Sequence, residues 1–253
     1  MVSNYKVGII GMGVIGNAVY HSFSSVIPDL VMYDPEKIPT STLDVMYDRD
    51  FIFLCLPNQT VLEEVISLVV NESGRDDINF IIKTTVPIGF TEHIQTIYGN
   101  NFCFNPEFLT DRTAVNDFMN QERIILGGEF VDSIEELYRC RFPYVPIQIT
   151  TSKTAEFVKL MINLYFTTKI SFMNEMRDMT EVGGLDWNET VKLFSGDSRI
   201  SNSHLEVPGP DGKRGFGGKC FPDNLEMMIE WLSEKGCKSE MLEGVKNTNN
   251  KYR

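Results

Sequence analysis

A cysteine that follows a glycine-rich stretch is the residue of this sequence best suited to chemistry. Residues 215–224 read GFGGKCFPDN, so Cys220 stands just after a glycine-rich turn and just before a proline that can open a helix. Glycine lets a backbone approach a ligand closely, and backbone amides or a helix N-terminus beside a cysteine favour its thiolate. The stretch therefore predicts a nucleophilic thiol, and a tight loop with an incidental cysteine is the alternative.

A second glycine-rich motif, GMGVIG at residues 11–16, follows an apolar, β-branched run at residues 5–10 and precedes helix-compatible residues. Strand, GxGxxG turn and helix in this order are what a dinucleotide-binding fingerprint requires. We predict that Gly11 permits the tight turn, Gly13 lets the backbone approach a pyrophosphate, and Gly16 lets the helix pack on the strand. The amides and the dipole of the helix N-terminus then favour a phosphate.

An acidic residue ends the next predicted strand. Residues 30–33 form that strand, and Asp34 follows it directly. An acid at this position accepts hydrogen bonds from a ribose diol and repels a 2′-phosphate, which favours NAD over NADP. Because Pro35 comes next, an ordinary turn acid is the alternative interpretation of Asp34.

Strands and helices alternate through the rest of the first half. Further strands are predicted at residues 51–56 and 80–84, with a helix at residues 60–70 between them. This alternation predicts an α/β fold, namely a Rossmann-like doubly wound parallel sheet, whose ligands bind at the carboxyl ends of the strands. The segments expected at the rim of that crevice are residues 57–58, 84–85 and 105–107.

The second half is predicted to be all α-helical. A long helix at residues 153–179, capped by Thr151 or Ser152, is followed by these shorter segments: residues 186–194, 224–235 and 239–253. We place the domain break at residues 150–152. The prediction is therefore a dinucleotide-binding domain over residues 1–150 and a helical central domain, which carries the cysteine loop, over residues 151–253.

Two polar residues on the long helix are candidates for chemistry. Lys159 and Asn163 are four residues apart, so both project from one face. A solvated lysine and a surface amide are the ordinary interpretation, but a lysine on a largely apolar helix usually has a partner or a task. The apolar residues 160–172 have more than one face to bury, which favours a homodimer.

Composition restricts the function classes. The 253 residues include 23 basic and 35 acidic ones, a net charge of −12 that argues against a nucleic-acid surface but permits an anionic ligand held by amides and a few cations. Five cysteines, an odd number without a CxxC pair, predict reduced thiols in the cytoplasm. We expect no targeting peptide, because residues 1–6 are polar and lead directly into a strand. We also expect no membrane segment, since no apolar run approaches about 20 residues, and no metal site.

Taken together and in this order, the motifs resemble the nucleotide-sugar dehydrogenase family. The similarity covers nearly the whole chain through these segments: GMGVIG, KTTVPIGFTE, NPEFLTDRTAVND, ERIILGG, AEFVKLMINLYFTTKISFMNEM and PGPDGKRGFGGKCFPDN. The resemblance implies oxidation of the C6 alcohol of a nucleotide sugar, such as UDP-glucose, to the carboxylate. NAD is the implied cofactor, with two molecules reduced per sugar, and a homodimer is the implied assembly.

The resemblance also implies roles for individual residues. Cys220 matches the nucleophile that forms a thiohemiacetal and then a thioester, and Lys159 and Asn163 match residues that contact the reacting oxygen. Glu107 matches the base proposed for thioester hydrolysis, and Thr85 matches the residue that orients the water. The implied cofactor contacts are Gly11, Gly13, Val14, Ile15, Gly16, Asp34, Pro57, Asn58, Thr85 and Asp111. The implied substrate contacts besides Lys159 and Asn163 are Phe108, Leu109, Phe216, Gly217 and Gly218.

The sequence departs from the family pattern after the cysteine and at the chain end. Where the family reads CFPKD, this chain has Asp223 and Asn224, so an amide that cannot accept a proton replaces the carboxylate thought to assist hydrolysis. Asn58 also replaces a usual threonine. Family enzymes carry a third, nucleotide-sugar-binding domain, so we expect a short form that lacks it.

Two alternatives remain open at this stage. One is a two-electron β-hydroxyacid-type dehydrogenase, which shares the fold and a Lys-x-x-x-Asn pair but needs no thiol. The other is a catalytically impaired, NAD-binding partner subunit, which the residues at positions 223 and 224 would explain.

Overall fold

The computed structural model of the protein describes residues 4–253 and divides into two compact units. The first unit ends at Lys159, and the second comprises Leu160–Arg253. The division falls inside a long helix, whereas the sequence predicts a break in the loop at residues 150–152.

The first unit is built on one seven-stranded sheet. Its strands are β1 (Lys6–Ile10), β2 (Asp29–Tyr33), β3 (Phe51–Leu54), β4 (Asn79–Ile82), β5 (Asn101–Phe104), β6 (Ile124–Gly127) and β7 (Ile147–Thr150). The spatial order is β2-β1-β3-β4-β5-β6-β7, and every neighbouring pair is parallel except β5 and β6. The α/β Rossmann-like fold is therefore confirmed, with one antiparallel pairing that the alternation of strands and helices does not predict.

Helices of the described chain cover the sheet and make up the second unit. Those that begin in the first unit are α1 (Val14–Phe23), α2 (Gln59–Ser73), α3 (Phe90–Tyr98), α4 (Ala114–Met119), α5 (Asp132–Arg141) and α6 (Ser152–Val182). Those of the second unit are α7 (Trp187–Phe194), α8 (Cys220–Glu234) and α9 (Glu240–Asn249). A short 3-10 helix spans Leu43–Met46.

The central strands are buried on both faces, as expected of a parallel sheet covered by helices. Along β3, Phe51 and Phe53 belong to one apolar cluster, whereas Ile52 and Leu54 belong to the cluster on the opposite face. Because successive side chains alternate between faces, this apolar run feeds two cores at once. The loops that follow the parallel strands consequently share the carboxyl edge of the sheet.

The observed element bounds correct several predictions. Strands β3 and β4 end two residues before the predicted ends of residues 51–56 and 80–84, and the sequence analysis assigned no strand to β5, β6 or β7. Helix α8 begins at Cys220, not at Asn224, so Pro222 lies in its first turn. Proline is tolerated there because the first amides of a helix have no intrahelical acceptor.

None of the helices in the described part of the chain combines the length and the hydropathy needed to span a bilayer. That part of the chain also brings no three His, Cys, Asp or Glu side chains together as a candidate metal site.

Candidate functional site

The three glycines of the turn at residues 11–16 meet different surroundings. A Cβ on Gly11, whose φ is +89°, would lie 2.3 Å from the carbonyl oxygen of Cys55. A Cβ on Gly16 would lie 1.9 Å from the carbonyl oxygen of Gly11, but one on Gly13 would meet no atom within 4 Å. Gly11 and Gly16 are thus required by packing, whereas Gly13 borders open space that a ligand can enter.

The N-terminus of α1 is not satisfied by its own side chains. Gly13 is its N-cap without a side-chain hydrogen bond, and its first turn contains no acidic residue. Val14 is 44% exposed, and Ile15 is half-buried beside it. Exposed first-turn amides at the positive end of a helix suit a phosphate group, so this turn fits the pyrophosphate of a dinucleotide.

Asp34 connects the end of β2 to the glycine turn. Its Oδ2 accepts from the Met12 amide at 2.7 Å, and its Oδ1 accepts from the Glu36 and Lys37 amides at 3.0 Å each. Burial would raise the pKa of this carboxyl, but these amides and the Lys37 charge outweigh it and lower the pKa. A carboxylate has about four acceptor positions, so one remains for a ribose hydroxyl.

Lys37 also contacts the glycine turn, although the sequence analysis does not single it out. Its ammonium donates to the Met12 carbonyl oxygen at 2.7 Å, so the glycine turn is held from both its amide and its carbonyl side. A cation three residues after the strand-end acid was the available signal, but a lysine in a polar turn is ordinarily solvated and so carries little information by itself.

The other predicted cofactor residues follow β3, β4 and β5. Asn58 is the N-cap of α2, where its Oδ1 accepts from the Val61 amide at 3.0 Å, so its side chain has a local structural role. Thr85 is half-buried in the segment after β4, and Pro57 and Asp111 are exposed.

A buried ion pair lies after β5. Lys159 Nζ donates to Glu107 Oε1 at 2.7 Å and to the Glu107 carbonyl oxygen at 2.6 Å. The two side chains are only 7% and 12% exposed. The Leu109 amide donates to Glu107 Oε2 at 2.8 Å, and the half-exposed Phe108 ring lies 5.5 Å from the ammonium. The structure thus brings four predicted site residues of the first unit together.

Electrostatics keep the Glu107 carboxylate charged. Burial would raise its pKa, but the charge and hydrogen bond of Lys159, the Leu109 amide and the charge of Lys83 together hold the pKa below its ordinary value. A carboxylate that is desolvated yet ionised is a usable general base once its cationic partner turns to a substrate.

A second buried carboxylate, on the same helix as Lys159, was not singled out from the sequence. Glu156 accepts from the Gly89 amide at 2.6 Å and from the Thr91 amide at 2.9 Å and hydroxyl at 2.6 Å. Gly89 is the N-cap of α3 and has no side chain to cap it, so Glu156 supplies the acceptor from another element. It thereby fixes the end of the segment that carries Thr85.

In the second unit, Cys220 is the first residue of α8 and is exposed. The positive end of the helix dipole and the first-turn amides favour a thiolate at this position. No disulfide joins cysteines within residues 4–253.

The glycine loop at residues 215–218 is anchored from within the second unit. The Gly215 amide donates to Asn174 Oδ1 at 3.1 Å. Phe216 is 3% exposed, and its amide and carbonyl bond the Asn249 side chain at 2.7 and 3.1 Å. Gly217 packs against Arg253, and Gly218 is exposed. The amides left for a ligand are those toward the end of the loop.

Asn163 and Asn224 form a buried amide pair. Asn163 Nδ2 donates to Asn224 Oδ1 at 2.5 Å, and the side chains are 9% and 5% exposed. The Asn224 oxygen takes the acceptor position that a carboxylate oxygen would take, but an amide oxygen cannot carry off a proton at neutral pH.

Comparison with protein families matches both parts of the chain. Residues 56–140 match the NAD-binding domain of the UDP-glucose/GDP-mannose dehydrogenase family, and residues 153–251 match the central domain of that family. The two matches together cover well over half of the chain. The glycine turn at residues 11–16 precedes the first match.

Individual relatives agree with this assignment. The chain is 32% identical over 183 residues to the UDP-glucose 6-dehydrogenase TuaD of Bacillus subtilis, an alignment that covers 68% of this chain but 38% of the relative. It therefore spans about two fifths of that relative's length.

Solved structures support the fold. A UDP-glucose dehydrogenase from Pyrobaculum islandicum has a TM-score of 0.80 at 19% identity, over 99% of this chain and 69% of its own. A 3-hydroxyisobutyrate dehydrogenase from Mycobacterium tuberculosis has a TM-score of 0.79 at 15% identity, over 98% of this chain and 94% of its own. At these identities the likeness concerns the fold alone.

Proposed function

This chain belongs to the UDP-glucose/GDP-mannose dehydrogenase family, and from that premise we propose that it oxidises a nucleotide sugar at a primary alcohol to the carboxylate with NAD. UDP-glucose is the first substrate to test, because the TuaD relative bears that name. The observation that carries the proposal is the exposed Cys220 at the start of α8, since an alcohol-to-aldehyde dehydrogenase needs no thiol.

Bound NAD would supply the hydride acceptor for the two oxidations, one NAD molecule for each. The first-turn amides of α1 and the carboxylate of Asp34 would hold it by pyrophosphate and ribose. Gly13 leaves the space for the approach, because a Cβ at that position would meet no protein atom within 4 Å.

Lys159 stabilises the developing charge on the substrate oxygen. Two of its three N–H groups donate to Glu107, which leaves one donor for an alkoxide. Asn163 projects from the same face of α6, one turn farther on, and adds an amide donor.

Cys220 retains the aldehyde between the two oxidations. Its sulfur adds to the aldehyde carbon to form a thiohemiacetal. Transfer of the remaining hydride from that carbon to a second NAD, with release of the hydroxyl proton to solvent, would give a thioester. Water then attacks the thioester carbonyl, Glu107 accepts the proton of the water, and the carboxylate and the thiol are released. We assign Thr85 to the orientation of that water.

The decisive experiment counts NADH per UDP-glucose with excess NAD and the whole chain. Two NADH per sugar over many turnovers support the complete proposal. One NADH per sugar in steady turnover, with aldehyde released, would instead identify a two-electron dehydrogenase. Absence of NADH formation with this and other nucleotide sugars would overturn the proposal.

A second candidate is an NAD-binding subunit that stalls at the thioester, and the Asn163–Asn224 amide pair favours it. A burst of two NADH per subunit, followed by arrest, would be its signature. Asn224→Asp restores a proton acceptor at the same position, so it should convert the burst into steady turnover. An Asp variant that stalls like the parent would exclude this cause.

We also propose that two chains associate through α6. Four of its exposed apolar side chains lie about one or two turns apart, and they are Met161, Tyr165, Phe172 and Met179, between 47% and 61% exposed. Apolar residues at such intervals on one helix suit a matching helix of a second copy. Tyr165→Glu should yield monomers in analytical ultracentrifugation, and an unchanged mass would contradict this assembly.

A further inference from the structure

Lys83 is a buried lysine that the proposed mechanism does not use. It follows β4 and is 2% exposed. Its ammonium donates to Asn105 Oδ1 at 2.6 Å and lies 5.2 Å from the centroid of the Phe118 ring. Among residues 4–253, no carboxylate lies within ion-pair distance of it. An interior ammonium without a direct counterion is costly, so its presence calls for a reason.

Asn105 ties this lysine to the candidate base. Its Oδ1 also accepts from the Tyr138 hydroxyl at 2.5 Å, and its Nδ2 donates to the Ile125 carbonyl oxygen at 2.7 Å. The side chain is therefore fixed by Lys83 just after β4, by β6 and by α5 at once. Asn105 stands two residues before Glu107, so its fixation sets the start of the loop that presents the Glu107 carboxylate.

Of the titratable groups that act on Lys83, Glu107 is the one that carries a negative charge near neutral pH. Burial lowers the pKa of Lys83 to about 8, and the charge of Lys159 acts in the same direction. Interactions with Cys55, Glu107 and Cys103 oppose this lowering. Burial raises the pKa of both thiols, Cys55 and Cys103, to about 12, so both are uncharged near neutral pH. It also raises the pKa of Tyr138 well above its ordinary value, so the phenol is neutral too.

We propose that Lys83 is a positioning residue for Glu107. Through Asn105 its ammonium fixes the start of the loop after β5, and its charge acts with Lys159 to keep the Glu107 carboxylate ionised. The proposal rests on the role given to Glu107 above. A methionine of similar length would fill the same space without a desolvated charge, so stability alone does not explain a lysine here.

The Leu109 amide offers a readout of Glu107 that needs no substrate, because it donates directly to Oε2. In an NMR titration of the NAD-bound whole chain, its resonance follows the ionisation of that carboxylate. Lys83→Met should move the midpoint upward, on the order of one pH unit, and speed exchange of the Leu109 amide hydrogen. Lys83→Arg, which keeps the charge, should move the midpoint less.

A purely structural role would change the melting temperature and leave the Leu109 titration midpoint where it is. Lys153→Met is the matched control, because Lys153 is an exposed lysine paired with Glu92. It should change neither the midpoint nor the exchange. An unchanged midpoint and exchange rate in folded Lys83→Met would overturn the proposal.

The Lys83→Met variant is expected to fold, because Asn105 Oδ1 keeps the Tyr138 hydroxyl as a donor. Since native Lys83 titrates near 8 and an unfolded lysine near 10.5, the unfolded chain binds more protons between these values. The free energy of unfolding should therefore rise with pH across that window in the parent relative to Lys83→Met. If the free energies of unfolding of the parent and of Lys83→Met differ by a constant amount from pH 7 to 10, Lys83 does not titrate as a buried lysine.

These readouts are independent of turnover. If the parent protein is inactive but Lys83→Met still raises the Leu109 titration midpoint and speeds the exchange of its amide hydrogen, the proposed function is refuted and the positioning role is kept. An active parent in which Lys83→Met changes neither would keep the function and refute the positioning role.

Discussion

The turn at residues 11–16 and the loop at residues 215–218 both place glycines before a helix, but their backbones are used differently. The turn leaves Gly13 beside open space and the N-terminus of α1 without a side-chain cap. The loop gives its first amides to Asn174 and Asn249 and carries Arg253 against Gly217. Similar composition thus gives the first unit an open turn, which borders free space at Gly13, and the second unit a braced loop, whose first amides are bonded internally.

The two glycine motifs differ in which backbone amides stay open to a ligand. The turn leaves the first-turn amides of α1 open to a phosphate, although its Met12 amide is bonded to Asp34, whereas the loop bonds its Gly215 and Phe216 amides to side chains of its own unit. Cys220 follows the braced loop after Lys219, so the loop restricts the backbone at the start of α8. Four substitutions, with progressively smaller expected effects, test this contrast.

Cys220→Ala should abolish the chemistry at the braced loop and leave NAD binding at the open turn unchanged. Loss of the nucleophile should reduce production of the carboxylate by about a thousandfold or more, while NAD affinity, measured by fluorescence titration, stays the same. The matched control is Cys237→Ala, a second exposed cysteine, which should keep full activity. Carboxylate production that persists in Cys220→Ala would place the chemistry elsewhere.

Gly16→Ala should disrupt the open turn from within. The added methyl group would lie 1.9 Å from the Gly11 carbonyl oxygen, so the free energy of unfolding should fall by about 1–3 kcal/mol or more. Gly244→Ala, at a helical position with no atom within 4 Å, should instead stabilise by about 0.5–1 kcal/mol. Urea denaturation measures both, and equal signs would contradict the packing argument.

Asn249→Ala should loosen the braced loop. It leaves the buried amide and carbonyl of Phe216 without partners, at a total cost of about 1–3 kcal/mol. Activity should fall with stability, because the loop positions Cys220. Asn247→Ala, at an exposed position of the same helix, should be neutral in thermal denaturation. A fully active and stable Asn249→Ala would show that the loop needs no brace.

Gly13→Ala should act on the ligand and leave the fold intact. Because its methyl group meets no protein atom within 4 Å, the melting temperature should not change. The methyl would occupy space that a pyrophosphate needs, so the dissociation constant for NAD should rise on the order of tenfold, about 1.4 kcal/mol. Calorimetry measures this constant, and undiminished affinity would mean that the cofactor lies elsewhere.

The sequence predicted those parts of the molecule that local chemistry determines. Apolar runs located β1 to β4, and apolar residues at helical spacing located α2. A run of good helix formers located α6, and the GxGxxG pattern identified the turn at residues 11–16. The Glu107–Lys159 contact joins two residues for which the family resemblance implies separate roles. The signals for the strands, the helices and the turn are each contiguous in sequence, so a short window contains them.

Tertiary partners could not be predicted in the same way. The cap that Glu156 gives to α3 and the bond between Lys83 and Asn105 join residues 65 and 22 positions apart, respectively. Helix α8 begins four residues before the position that the sequence predicts, because Pro222 lies within its first turn and does not precede the helix. The proline position within a first turn depends on packing of the preceding loop, which propensity does not encode.

Two contacts made by helix α6 restrict insertions and deletions between Glu156 and Lys159. Glu156 binds the first turn of α3, and Lys159, three residues later, binds Glu107. Each residue of an α-helix advances the azimuth by about 100°, so one residue inserted or deleted between them would turn one partner away while the other stays bound. Within this stretch, evolution can exchange side chains on the exposed face but cannot change the residue count.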